Sequence, residues 1–341
     1  MRVAALVVVA GCGRVNFDAT PVSDAAYSGP NRAFVTAGRT NGAFGGVTGG
    51  DAICQAAAAG AHLDGEFVAL VFDGLTLRAP ALSGSRGWVD LHGRAIADQP
   101  SDFEMAATFS PIIYDELGQE ISGFIWTGSV AGECGVWTMA ASNVFVPVIA
   151  TYQALRSGFA QDAACSDNLH LLCVERGRNS AVVPAIESGR IAFVSDTGFS
   201  PGGGLAAADA LCNADAGTAG LLGTYRAWLG STAGGPETRF ASTGEPWRRV
   251  DGIRLSVTAG DFLSPDLPLA LSTFLNRTAL GNVRNEQIFT GVTGNCIDWT
   301  SSSLADQTNV GDSSSAERQR LRDASLPLVC TAARPIVCLQ L

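Results

Sequence analysis

Eight of the nine cysteines fall into two sets of four with nearly the same spacing. Cys54 to Cys134 is 80 positions, Cys134 to Cys165 is 31, and Cys165 to Cys173 is 8. Cys212 to Cys296 is 84, Cys296 to Cys330 is 34, and Cys330 to Cys338 is 8. A chain that repeats its cysteines this way must place each set in a repeated fold. Even sets in an exported chain read as disulfides, and four cysteines allow three pairings that spacing alone does not separate. Zinc is the competing reading. It lacks a Cys-x2-Cys clip, and the second set has no histidine near it.

The residues between the cysteines repeat as well. AFVTAGRTNGAFGG begins at Ala33 and AFVSDTGFSPGGG at Ala192. Each is followed by an Ala-rich stretch carrying Cys54 or Cys212, with Asp51 or Asp209 near its start. Such stretches predict helices. Short β-rich runs at 67–72, 124–127 and 170–174, and at 225–229, 288–290 and 335–339, predict strands. The pattern predicts an α+β fold in two copies, residues 32–176 and 191–341, joined by a linker at 177–190.

The ninth cysteine, Cys12, stands directly after the only apolar run at the N-terminus. Arg2, the apolar stretch Val3–Ala10 and the small residues before Cys12 have the form of a bacterial lipoprotein signal. Residues 1–11 are then the signal peptide, Cys12 the lipid-attachment site, and 12–31 a flexible tether. An ordinary secretory signal followed by a free cysteine is the other reading. The expected location is the bacterial cell envelope, lipid-anchored to the outer rather than the inner membrane and facing an oxidising space. The net charge of −10 is wrong for nucleic acid or an anionic surface. All 22 basic residues are arginine, which excludes P-loop and Schiff-base lysines.

The segments CNADAG, AGLLGTYRAWLGS, IWTG and IFTG, CGVWT and CIDWT, and CSDNLHLLCVE carry a resemblance. Each copy resembles the endostatin-like domain, a member of the C-type-lectin-like fold, and a family of bacterial surface lipoprotein domains with no assigned activity. The resemblance covers most of both copies and is weak over 74–120 and 233–285. It implies two tandem domains with nested disulfides: Cys54–Cys173, Cys134–Cys165, Cys212–Cys338 and Cys296–Cys330. This chain departs from the family's ligand sites. Five residues, Ser129–Glu133, leave no room for the lectin calcium loop. Val47, Thr48 and Gly49, with Leu205, Ala206 and Ala207, stand where the heparin arginines are expected.

Candidate chemistry is sparse. His62, His92 and His170 all lie in copy one. His170 and His62 read as structural, and His92 beside Asp90 is an unspecific polar pair. Pro201–Gly204 reads as a turn before a helix rather than a phosphate loop. Asp298, Asp306, Asn309 and Asp312 read as an acidic loop, solvated or able to hold calcium. Arg318, Arg320 and Arg322 read as an exposed charged segment, and Trp126, Trp137 and Trp299 as core, with Phe289 in the place of Trp126. No catalytic residue, cofactor or firm metal site is expected. The expected function is a non-enzymatic binding or adhesion module, held to the membrane by its lipid, for a glycan or an envelope or matrix protein. The alternative is an envelope-acting enzyme with one active and one degenerate copy, in which Asp90, His92, Glu104 and Asp115 would have to converge. A third reading is an inert envelope protein.

Overall fold

A computed structural model describes residues 28–341 apart from 75, 129–133, 156–160, 265–269 and 325. The signal and lipid-attachment expectations, most of the expected tether, and Ser129–Glu133 lie outside the described residues.

Copy one runs β1 (Asn31–Val35), α1 (Gly46–Gly60), β2 (Glu66–Ala69), β3 (Trp88–Val89), β4 (Ala95–Ala97), α2 (Pro100–Glu104), β5 (Phe124–Trp126), β6 (Phe145–Ala150), β7 (Gln161–Ala164) and β8 (His170–Arg176). The strands join in the order β4-β3-β1-β8-β5-β6-β7, with β2 also on β8. Helix α1 packs Gly50, Cys54 and Ala58 inward. It stops at His62, which takes φ 58° while Leu63 N–H bonds back to the Ala58 carbonyl. That left-handed cap is a position that favours glycine. Its counterpart in copy two is Gly220, at φ 69°.

Copy two is similar but lacks a counterpart of β4 and adds a short helix before its last two strands: β9 (Arg190–Val194), α3 (Gly204–Thr218), β10 (Tyr225–Ala227), β11 (Trp247–Arg249), α4 (Ala259–Leu263), β12 (Gln287–Phe289), β13 (Gln307–Asp312), α5 (Arg318–Arg322), β14 (Leu326–Val329) and β15 (Val337–Gln340). Its strands form two sheets, β10-β15-β9-β11 and β12-β13-β14, linked by a single bridge between Phe289 and Ile336. The chain is therefore α+β. Among the described residues no helix is long and apolar enough to cross a membrane.

Four disulfides are present: Cys54–Cys173, Cys134–Cys165, Cys212–Cys338 and Cys296–Cys330. They are the four pairs that the resemblance implies. Each outer bond ties the long helix of its copy to the strand beside β1 or β9. Such bonds belong to an oxidising, extracytoplasmic compartment. The inner bonds start from an unusual turn. Cys134–Trp137 has φ values of 40°, 62°, 54° and 64°, and Cys296–Trp299 has 51°, 53°, 50° and 65°. Left-handed backbone costs roughly 1–2 kcal/mol per non-glycine residue. Two buried tryptophans help hold it: Trp137 Nε1–H donates to the Phe72 carbonyl at 2.6 Å and Trp299 Nε1–H to that of Gly230 at 2.8 Å.

The linker expected at 177–190 is packed at both ends. Val182 N–H donates to Asp98 at 2.8 Å, and Glu187 N–H donates to the Gly252 carbonyl at 3.0 Å. The copies also touch directly, and Ala106 and Ala154 of copy one belong to the apolar cluster that forms the core of copy two.

Candidate binding cleft

A cleft of about 610 Å3 lies in copy one between the end of α1, the β3–β4 turn and the hairpin tip at 116–118. Ala61, Leu63, Val89 and Leu91 give it apolar walls, while His92 and Glu116 supply polar groups. Each wall is fixed by local chemistry. Asp90 is buried, and its Oδ1 accepts the N–H groups of His92 and Arg94 at 2.9 Å each. Its Oδ2 pairs with Arg94 Nε at 2.5 Å. The His92 ring lies 4.3 Å from that of Tyr114, and its Nε2 faces the Gly118 carbonyl at 2.9 Å, which makes Nε2 the protonated nitrogen. Asp115 is buried and caps the tip by accepting from Leu117 N–H and Gln119 N–H, leaving the Leu117 side chain 65% exposed. Glu116 accepts from Ala37 N–H at 2.8 Å.

Copy two treats the same place differently. Arg249 replaces Asp90 and pairs with Asp251, which stands in the place of His92. A Cβ on Gly93 would meet nothing within 4 Å, whereas one on its counterpart Gly252 would meet Ile186 at 2.8 Å. The turn is open in copy one and covered by the linker in copy two.

Of the four groups that would have to converge, Glu104 does not join Asp90 and His92 in this cleft. Asp90 and Asp115 are committed to their turns, and Glu104 lines a separate cleft beside Arg86 and Gln99. His170 is buried in β8. It faces the Thr36 carbonyl through Nδ1 at 2.6 Å and accepts from Arg39 Nε through Nε2 at 3.0 Å. Burial holds its imidazole below the ordinary histidine value, and the Arg39 charge adds to the effect. A base depressed on folding gives full stability above its unfolded value of about 6.5, and that stability is lost as pH falls below it. The urea midpoint should therefore drop between pH 7.5 and pH 5.5, and His170→Gln should flatten that drop. An unchanged drop in the variant would remove His170 as its cause.

Three expectations need correction or placing. The acidic residues do not share one loop. Asp298 sits in the left-handed turn, where it accepts from Thr232 N–H at 2.6 Å, and Asn309 and Asp312 lie in β13. Asp306 binds the Ser301 hydroxyl, Asn309 donates to Asp323, and Asp312 is fully buried against Ser314 and Gln153. Among the described residues no three His, Cys, Asp or Glu side chains gather as a metal would require. The arginine segment is exposed on one side only. Arg318 and Arg322 are 4% and 7% accessible, and Arg322 reaches Glu237 at 2.9 Å. Pro201–Gly204 is a turn, its Gly202 N–H bonded to the Trp299 carbonyl at 2.7 Å.

Sequence reasoning marked Asp51 and Asp209 only as helix-start residues and missed their partners. Each accepts a strand N–H, from Ala69 or Ala227, and pairs with Arg78 or Arg239 respectively. The signal was the recurrence of an arginine after both aspartates, 27 residues on in one copy and 30 in the other. Comparison with models of known protein families and with curated proteins found no match for the chain.

Proposed function

We propose that the chain is a lipid-anchored cell-envelope binding protein, built of two C-type-lectin-like domains of the endostatin-like kind, without catalytic activity. Acyl chains on Cys12 hold it in the membrane, in the outer membrane by preference. The ligand is a glycan or an envelope or matrix protein, and it binds at the copy-one cleft. The observation that carries this reading is the cleft itself. Clefts with apolar walls and a few fixed polar groups are where ligands most often bind. Here the polar groups are held in place by hydrogen bonds to the backbone. Copy two, with Ile186 over its turn, serves as support.

Glycan and protein arrays probed with residues 28–341 test the proposal. A hit should weaken at least tenfold with Leu117→Glu or His92→Ala. Leu280→Glu, at the copy-two counterpart of Leu117 and also exposed (57%), should leave it unchanged. Silence on both arrays, or equal loss from Leu280→Glu, overturns the cleft assignment. The anchor is tested separately, by intact mass of the native protein with and without the acyl increment on Cys12.

A further inference from the structure

The contact between the copies joins residues to their own counterparts. Register fixes the correspondence. Trp126 pairs with Val148 in copy one as Phe289 pairs with Val310 in copy two. Counting on, Tyr152, Gln153 and Ala154 match Ser314, Ser315 and Ala316. The local bonds agree: Gln153 N–H reaches the Ala150 carbonyl at 2.9 Å, and Ser315 N–H reaches that of Asp312 at 3.2 Å. These matched segments then pair with each other. Gln153 and Ser315 form an antiparallel bridge. Ala154 N–H donates to the Ser314 carbonyl and Ala316 N–H to the Tyr152 carbonyl, both at 2.8 Å. Exchanging the two copies turns one bond into the other. That reciprocity is the mark of an isologous interface, with a two-fold axis passing between Gln153 and Ser315.

The side chains around the axis are not symmetric. Copy two sends Thr273, Arg277 and Asn285 to the carbonyls of Phe109, Ala107 and Ala106 in copy one. At the matching positions copy one carries Ser110, Tyr114 and Ser122. Donors and acceptors are therefore divided between unlike faces, which favours copy one against copy two over either copy against itself.

We infer that this contact is a protein–protein interface in its own right, a pseudo-two-fold face at which a copy-one module pairs with a copy-two module. It holds the two halves together without the linker, and it lets copy one of one chain accept copy two of another.

All four disulfides lie within a copy, so after one cut in the linker the halves are joined by none of them and must hold through non-covalent contact. Val183 is 82% exposed, which makes it the place for an engineered protease site. After folding and cutting, native mass spectrometry and light scattering should find one species of full mass at micromolar concentration. Mixing with cut, isotope-labelled protein should yield exchanged pairs. Two half-mass species, or no exchange after prolonged mixing, would overturn the inference. Thr273→Val with Asn285→Ala removes two donors without altering the backbone. It should weaken the cut pair at least tenfold while the uncut chain keeps its circular dichroism spectrum. If those substitutions unfold the uncut chain, Arg277→Met serves the same purpose. Unchanged affinity in a folded variant would show that these donors do not direct the pairing.

Discussion

Replacing Cys54 and Cys173 together by alanine should cost about 4–5 kcal/mol, the chain-entropy value for a closed loop of more than a hundred residues. The bond spans 119 positions, against 31 for Cys134–Cys165. Both sulfurs of the outer bond are buried in the cluster that joins α1 to β8, so lost packing adds to the entropic term. For a domain of this size each kcal/mol shifts the melting temperature by roughly 2–4 °C, which gives a fall of about 8–20 °C. Calorimetry would read it directly. Ala106 and Ala154 lie in the core of copy two, so its transition should move down with that of copy one. A variant melting within about 3 °C of the parent would show that the outer bond contributes little. A copy-two transition that stayed in place would show that the copies unfold independently.

The parts of this fold that were legible in the sequence are those set by short-range rules. Cysteine spacing showed the duplication because covalent pairing leaves the same offsets in each copy. The Ala-rich stretches around Cys54 and Cys212 became the two 15-residue helices, where propensity and burial agree. What stayed hidden depends on which surfaces meet. Arg318 and Arg322 read as solvated because charge density normally marks an exposed face, but α5 lies against the core and Arg322 sits over Trp228. Asp298 and Asp312 are 14 positions apart and read as one loop, but a turn and a strand carry them to different neighbours. The copy-one cleft depends on Gly93 facing open space while Gly252 does not. That contrast is set by the path of the linker, and no local pattern encodes it.

The duplication also supplies a natural substitution experiment at the most buried ion pair. In copy one Glu175 is fully buried and takes Arg32 Nε at 2.7 Å and Arg178 Nε at 2.7 Å, while Arg32 also reaches Asp64 at 2.7 Å. In copy two the counterparts of Arg32, Asp64 and Glu175 are Ile191, Leu222 and Gln340. The backbone roles persist: Gln340 Oε1 accepts from Ile191 N–H at 2.8 Å as Glu175 accepts from Arg32 N–H at 3.0 Å. Trp88 and Trp247 donate to the Glu175 and Gln340 carbonyls respectively. One framework therefore accepts either a charged cluster or a neutral one. Breaking a buried pair from one side costs about 3–5 kcal/mol, whereas replacing both partners is often close to neutral. Glu175→Gln alone and Arg32→Ile alone should each destabilise copy one by an amount in that range, read from urea unfolding. Arg32→Ile with Glu175→Gln, which places the copy-two residues at those two positions, should fall within about 1–2 kcal/mol of the parent. The cycle should then give a coupling of at least about 4 kcal/mol, against the few tenths expected of independent sites. Additive losses would mean that Asp64 and Arg178, rather than the Arg32–Glu175 contact, set the energetics of this corner.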